Sequence, residues 1–178
     1  MTMFSLIPAR AHHCGQMCRL LRHEHARAIA AIGIEPHRAL RHYFDQSSIR
    51  KAWLIDGKLA GLGGVTGTKM ASTGFVWLAL SSAAMKYPIK IVKTARAQLD
   101  EIMTIKHDLV TTIIDGDEAA QRLAVFLGFT PSGTEWHRAA SSRHGRNAVN
   151  DSIARSADAR LPLGNGYVTA MHYEEARD

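Results

Sequence analysis

The residues best equipped for chemistry crowd into the first part of the chain. Cys14 and Cys18 stand four apart, with His12, His13, His23 and His25 close by. Positions i and i+4 of a helix share a face, so the two thiols lie side by side if this segment is helical. A tetrahedral zinc site needs four converging ligands. One helix face offers two, and no second pair follows at finger-like spacing. The pair reads as core cysteines, and no metal site is expected. His23-Glu24-His25 is not the metalloprotease pattern, because imidazoles two positions apart point to different sides of a helix. These three read as the solvated side of an amphipathic helix. Gly61-Leu62-Gly63-Gly64 looks like a phosphate loop only on the surface. It lies inside a strand pattern and no Gly-Lys-Ser/Thr follows, so it marks a bulge or a close backbone approach.

The elements that would position these groups follow from hydrophobic periodicity. Met3 to Ile7 reads as a strand stopped by Pro8. Residues 10 to 32 read as one helix, with Cys14, Met17, Leu20, Leu21, Ala28 and Ile32 at spacings near three and four, ended by Gly33. Glu35 and Pro36 open a second helix through Phe44. Ile49 to Asp56 and Leu59 to Thr66 are strands joined by Asp56-Gly57, a turn whose two positions tolerate positive φ. Phe75 to Leu80 is almost wholly apolar, which implies burial on both faces. Residues 81 to 87 form a loop. Pro88 sits in the first turn of a helix that runs to about Lys106. Leu109 to Ile114 is a buried strand, and Asp117 caps a helix that Gly128 closes. Thr134 to His137 reads as a short strand and Gly166 to Tyr173 as the last one.

Length and composition bound the answer. The 178 residues, 46 % hydrophobic and 21 % charged, suit one globular domain with a real core and exclude a disordered, collagenous or coiled-coil chain. Two cysteines exclude a disulfide framework. Apolar runs reach about seven residues where a membrane span needs about 20, and the first residues lack the basic region of a signal peptide. The expectation is a protein neither secreted nor in a membrane. Its 22 basic residues against 16 acidic ones give a net charge of +6, which favours anionic partners. Half of that excess lies in residues 137–160, rich in Ala, Ser and Asn, where five arginines (138, 143, 146, 155 and 160) meet two aspartates. This stretch reads as a solvated insertion or as an arm that orders on a partner. Nucleic-acid phosphates are one candidate partner, though no aromatics beyond Trp136 interleave the arginines for base stacking.

The element order (strand, helices, three antiparallel strands, helix, strand, helix, two strands) resembles that of the GNAT superfamily of N-acyltransferases. The sharpest local likeness is Asp117-Glu-Ala-Ala120-Gln-Arg-Leu123-Ala-Val-Phe-Leu-Gly128-Phe129 after the strand Leu109 to Ile114. It is similar to the family's strand–helix segment: Asn or Asp, Ala three later, an apolar residue six later, Gly-Phe at eleven and twelve. A narrower resemblance, carried by Trp77 in its Leu-rich strand, Tyr87-Pro88 and the Leu-Gly-Phe ending, is to GNAT-like phage proteins, including the internal virion protein A family of short-tailed phages.

The resemblance implies a mixed α/β fold, a central sheet of about seven strands with helices on both faces. The domain would comprise residues 1–136 and 164–174, with 137–163 as a basic arm and 175–178 as a tail. It implies a coenzyme A pyrophosphate cradled by Leu80, Ser81, Ser82, Ala83, Ala84 and Lys86 at the start of the Pro88 helix, with Asp117 nearby. It also puts Glu24, His23 and His25 near the acceptor side. The family's machinery is incomplete here. The loop Ser-Ser-Ala-Ala-Met-Lys-Tyr has no glycine, and the position seven after Asp117, often a tyrosine acid, is Ala124. The strand 75–80 has no carboxylate base. Glu24 and Tyr87 are the residues left to fill catalytic roles. Two functions follow as expectations. One is a virion structural or assembly component, in the virion or host cytoplasm, acting through self-association or other virion proteins, with no cofactor. The other is an acetyl-CoA-dependent N-acetyltransferase acting on a small-molecule or protein amine.

Overall fold

The computed structural model describes residues 2–31, 33–113 and 116–139. One seven-stranded mixed sheet runs through them in the order β1-β2-β3-β4-β5-β7-β6. The strands are β1 (Phe4–Pro8), β2 (Ser47–Ile55), β3 (Lys58–Thr66), β4 (Thr73–Leu80), β5 (Asp108–Thr111), β6 (Thr130–Ser132) and β7 (Glu135–Ala139). The helices are α1 (Ala11–Leu20), α2 (His23–Ala31), α3 (Pro36–Gln46), α4 (Pro88–Ile102) and α5 (Glu118–Phe126). All neighbouring strands pair antiparallel except β4 and β5, which are parallel. This is the expected α/β architecture.

Local chemistry accounts for most of the boundaries. Asp56 and Gly57 take φ of 49° and 76°, which turns β2 into β3. Glu35 caps α3 by accepting hydrogen bonds from the amides of His37 and Arg38, at 3.0 and 2.8 Å. Those two bonds hold the Glu35 carboxyl below its ordinary range. Asp117 caps α5, accepting from the Ala120 amide at 3.0 Å, and Gly128 leaves that helix at φ 86°.

β4 alternates between two cores. Val76, Leu78 and Leu80 pack with α4 and α5 around Ile91, Leu99, Leu109 and Leu127. Phe75, Trp77 and Ala79 pack with α1, α2 and α3 around Met17, Leu40 and Phe44. Both faces are covered, as the apolar run requires. Cys14 is fully buried in the second core and Cys18 half-buried beside it, with burial raising both thiols above their ordinary range. The glycines of β3 serve close packing. A Cβ on Gly64 would lie 2.5 Å from the Ile49 carbonyl oxygen and 3.1 Å from the Trp77 ring nitrogen. Trp77 in turn donates to Ser47 Oγ at 2.8 Å.

The turn before β4 is fixed by Lys106, which is 1 % exposed. Its ammonium donates to the carbonyls of Thr68 and Ala71. The amides of His107 and Asp108 donate to the Ser72 carbonyl at 2.8 and 3.2 Å. Both strands of the parallel pair therefore start from one knot.

Several expectations change. The helix of residues 10–32 is two helices, broken at Leu21-Arg22, where the chain pairs with Ser81 as an isolated antiparallel bridge. No glycine or proline marks the break; a tertiary strand contact imposes it. The helix after Pro88 ends at Ile102, not Lys106, because Lys106 turns inward. β6 was not expected: Thr130–Ser132 pairs with β7 at the sheet edge, where a proline is tolerated. β7 extends to Ala139, so His137 and Arg138 belong to the sheet rather than to an arm. Arg138 also binds Asp100 of α4 at 2.5 Å. The expected strand 166–173, the rest of the arm and the tail lie outside the described residues.

Gly64→Ala should destabilise the fold by about 1–3 kcal/mol, because β2 and the Trp77–Ser47 contact must shift to admit a methyl group. Urea unfolding measures it. A change under about 0.5 kcal/mol would show that β3 has slack that these contacts deny.

Candidate functional site

The site is built by a parting in the sheet. β4 and β5 pair over three residues only: Thr73 with Asp108, Gly74 with Leu109, Phe75 with Val110. Beyond that, β4 runs on to Leu80 while β5 ends at Thr111. Ser81 donates to Ala60 on the β3 side. By the alternation of a strand, the backbone groups of Leu78 and Leu80 face the other way, into the parting.

The far end of the parting is closed by the α1–α2 break. The Arg22 amide donates to the Leu80 carbonyl and the Ser82 amide donates to the Leu20 carbonyl, both at 3.2 Å. Residues 20–22 thus stand beside the end of β4 where a longer β5 would stand. Arg22 then reaches across to α5, where Nη2 meets Asp117 Oδ2 at 2.6 Å. Both side chains are largely buried, 11 % and 13 % exposed. Asp117 therefore does two jobs, one oxygen capping α5 and the other holding Arg22. Arg22 Nε is buried and has no hydrogen-bond partner.

A cavity of about 580 Å³ occupies the parting and the space beneath α4 and α5. Val76, Leu78 and Leu80 of β4, Ile91, Ala95 and Leu99 of α4, and Leu123, Ala124 and Leu127 of α5 line it. Tyr43 and Trp77 line it on the opposite side of the sheet, so it passes through the parting. Arg22, His25 and Asp117 are its ionisable wall near the α1–α2 break. Burial holds His25 below the ordinary histidine range; the Arg22 charge adds to this and the Asp117 charge opposes it. His25 is therefore neutral at pH 7.

The other residues singled out from sequence divide. Glu24 is exposed and lines an open recess with Arg22, Ser82, Met85 and Asp117, so Glu24, Ser82 and Asp117 are brought together. Tyr87 caps α4 and packs its ring edge-on against Phe4 of β1 at 6.1 Å; it does not line the cavity. His23, Ala83 and Lys86 are exposed, and Leu80, Ser81 and Ala84 are buried. Ala124 is buried in the cavity wall and offers no hydroxyl. Arg22 was missed. Its partner is 95 positions away, and within its own segment it reads as one more polar helix residue.

Most amides of the loop after β4 are engaged within the protein. Anion binding there needs amides that point outward at a helix start. Residues 81–87 instead close on themselves. Ser81 donates to Ala60, Ser82 to Leu20, Ala84 to Ser81, Lys86 to Ala83 and Tyr87 to Ala84. Residues 84–86 form a 3-10 turn, and no residue of the loop takes positive φ.

Two outcomes test this geometry. Asp117→Ala should cost about 3–5 kcal/mol, since it strands a buried guanidinium, against about 1 kcal/mol for a lost cap alone. Asp117→Asn keeps a capping oxygen and separates the two; a loss of only about 1 kcal/mol for the alanine variant would make the ion pair energetically idle. The second concerns pH. Because the folded state disfavours charged His25, the unfolded chain takes up its proton first, near pH 6.5, and stability falls as pH drops below that value. His13, also held low by burial, adds to the same trend. His25→Gln should flatten the melting-temperature profile between about pH 7 and 5, and an unchanged profile would place His25 in open solvent.

Neither a family model nor a curated protein matches the sequence. Solved structures do match. A GNAT-family acetyltransferase from Streptococcus pneumoniae is 14 % identical, covering 77 % of this chain and 99 % of its own at a TM-score of 0.51. An aminoglycoside acetyltransferase, AAC(6')-Ib, in complex with coenzyme A is 13 % identical, covering 77 % and 95 % at 0.57. RimJ from Mycobacterium smegmatis, in complex with CoA-disulfide, is 10 % identical, covering 86 % and 89 % at 0.58. At such identities the likeness speaks for architecture and not for chemistry: the chain has the GNAT fold.

Proposed function

We propose that this chain uses the GNAT fold as a contact domain without acyl transfer. The observation that carries this reading is the loop after β4, where the amides of Ser81, Ser82, Ala84, Lys86 and Tyr87 are engaged within the protein. Two features support it. The Arg22–Asp117 pair bolts the end of the parting, and Ala124 stands where the family often has its acid. The expected catalytic substitute, Tyr87, packs against β1 instead. Function then rests on surfaces, and the basic stretch that follows β7, residues 140–163 of the expected arm, is the sequence's contact element, by self-association or with another protein. The resemblance to GNAT-like phage proteins names one setting, virion structure or assembly. That step rests on the sequence alone.

A second reading, an N-acetyltransferase with an altered cradle, is favoured by one observation. The cavity runs along the free backbone edge of β4 and has a neutral imidazole, His25, in its wall. A neutral imidazole is the state in which a general base acts.

Calorimetric titration with acetyl-CoA separates the readings, with desulfo-CoA and ATP as controls for plain phosphate attraction. The contact-domain reading expects no saturable heat up to millimolar coenzyme. Saturable micromolar binding that ATP does not reproduce would overturn it in favour of the transferase.

A further inference from the structure

Helices α1 and α3 pack antiparallel on one face of the sheet. Cys14 Sγ reaches the Leu40 carbonyl, and a Cβ on Gly15 would meet the His37 ring at 3.9 Å. Cys18 lies by Glu35 at the start of α3, and Cys14 by Arg41 and Arg50 beyond its middle. The outer stripe of this pair (His12, Gln16 and Arg19 of α1, His37 and Arg41 of α3) is exposed and does not line the cavity. We propose that this surface binds the phosphate backbone of a duplex nucleic acid without reading its sequence.

Three observations choose that partner. The first is the type of cation. The first 50 residues hold seven arginines, no lysine and three acidic residues, whereas residues 51–106 hold seven lysines and one arginine. A solvated face needs only charge, which lysine supplies. The guanidinium fork matches phosphate oxygens with two hydrogen bonds at once. Arg41 and Arg50 are laid over the Phe44 ring, 5.9 and 4.6 Å from its centroid, which holds both forks at the surface. Asp45 pairs with Arg41 at 2.8 Å, with both side chains about half exposed. Such a pair is weak, so a phosphate can displace the carboxylate. Glu35 has both oxygens on amides of α3. The second observation is polarity. Leu20 is the one exposed large apolar residue of α1 and α3. A protein partner would want an apolar centre, and a nucleic acid wants a polar, strongly positive face. Tyr43 is stacked on Phe75 and Trp77 and Phe44 is buried, so neither ring is open to a base. The third is Gly15. A glycine inside a helix weakens it, yet a methyl group here would meet His37 alone, at an ordinary contact distance. Core packing does not require this glycine. It leaves a notch where a phosphate can approach the backbone of α1. At about 15 Å, α1 spans about four phosphates of one strand.

The experiment follows the full chain by fluorescence anisotropy as it binds a short labelled DNA duplex, and the RNA duplex of the same sequence, across a salt series. Saturable binding of either, equal for a shuffled sequence, is expected, and the tighter of the two names the source of the phosphates. Arg19→Gln and Arg41→Gln should each weaken binding about fivefold and lower the slope of log K against log salt by about one. Lysine at either position should keep the slope. Gly15→Ala should raise the melting temperature, since alanine suits a helix better, and still weaken binding. A glycine with a merely structural role would not separate the two. Unchanged affinity in folded Arg19→Gln and Arg41→Gln would assign the binding to the basic stretch after β7 and overturn the proposal. Equal competition by polyglutamate would make the partner an acidic protein and overturn it too, as would no binding at all. The inference goes beyond the contact-domain reading and stands whichever way the acetyl-CoA titration falls.

Discussion

β4 and β5 are hydrogen-bonded for three residues and then are not, and most of what is particular to this molecule answers that one fact. A strand edge inside a protein cannot be left bare, because buried amides and carbonyls need partners. The chain supplies one partner by interrupting the helix between residues 10 and 32. Leu21 leaves helical geometry at φ −51° and ψ 143°, and residues 20–22 lie against the end of β4. The interruption aims Arg22 at Asp117, so a residue at the helix break also ties one face of the sheet to the other. The loop after β4 is drawn into the arrangement, because the Ser82 amide is the donor that Leu20 needs.

This coupling explains which parts of the structure were legible in the sequence. Local grammar was reliable. The Asp56-Gly57 turn, Pro88 at a helix start, the Asp117 cap and Gly128 all stand where their chemistry places them. Burial of both faces of β4 could be read from its apolar run, and the close packing of Gly64 from a glycine cluster inside a strand. The break at Leu21 could not be read. Apolar spacing continues across it, and the force that causes it comes from Ser81, some 60 positions on. β6 was invisible for a different reason: three exposed residues including a proline carry no strand signal. Within the site, Ser81, Ser82, Ala84 and Asp117, singled out from the sequence, stand by the end of the parting. That their hydrogen-bonding capacity is already used could not be known before their partners were.

The cavity opens to the surface, and the side chains beneath α4 and α5 remain packed, with Ile91, Ala95, Leu99, Ala124 and Leu127 all buried. Around its rim Arg96 donates to the Phe126 carbonyl, and Arg138 holds Asp100, so α4, α5 and β7 stay joined.

Lys106 has a mechanical consequence. By seizing the Thr68 and Ala71 carbonyls it welds the vertex from which β4 and β5 diverge. β4 stays paired with β3 from Phe75 to Leu80 and β5 with β7 from Asp108 to Thr111, so each side of the parting is a two-strand unit. The ammonium clamps those two units together at the closed end, and beyond it, among the described residues, they are joined only by side chains and by the chain that runs past Leu21.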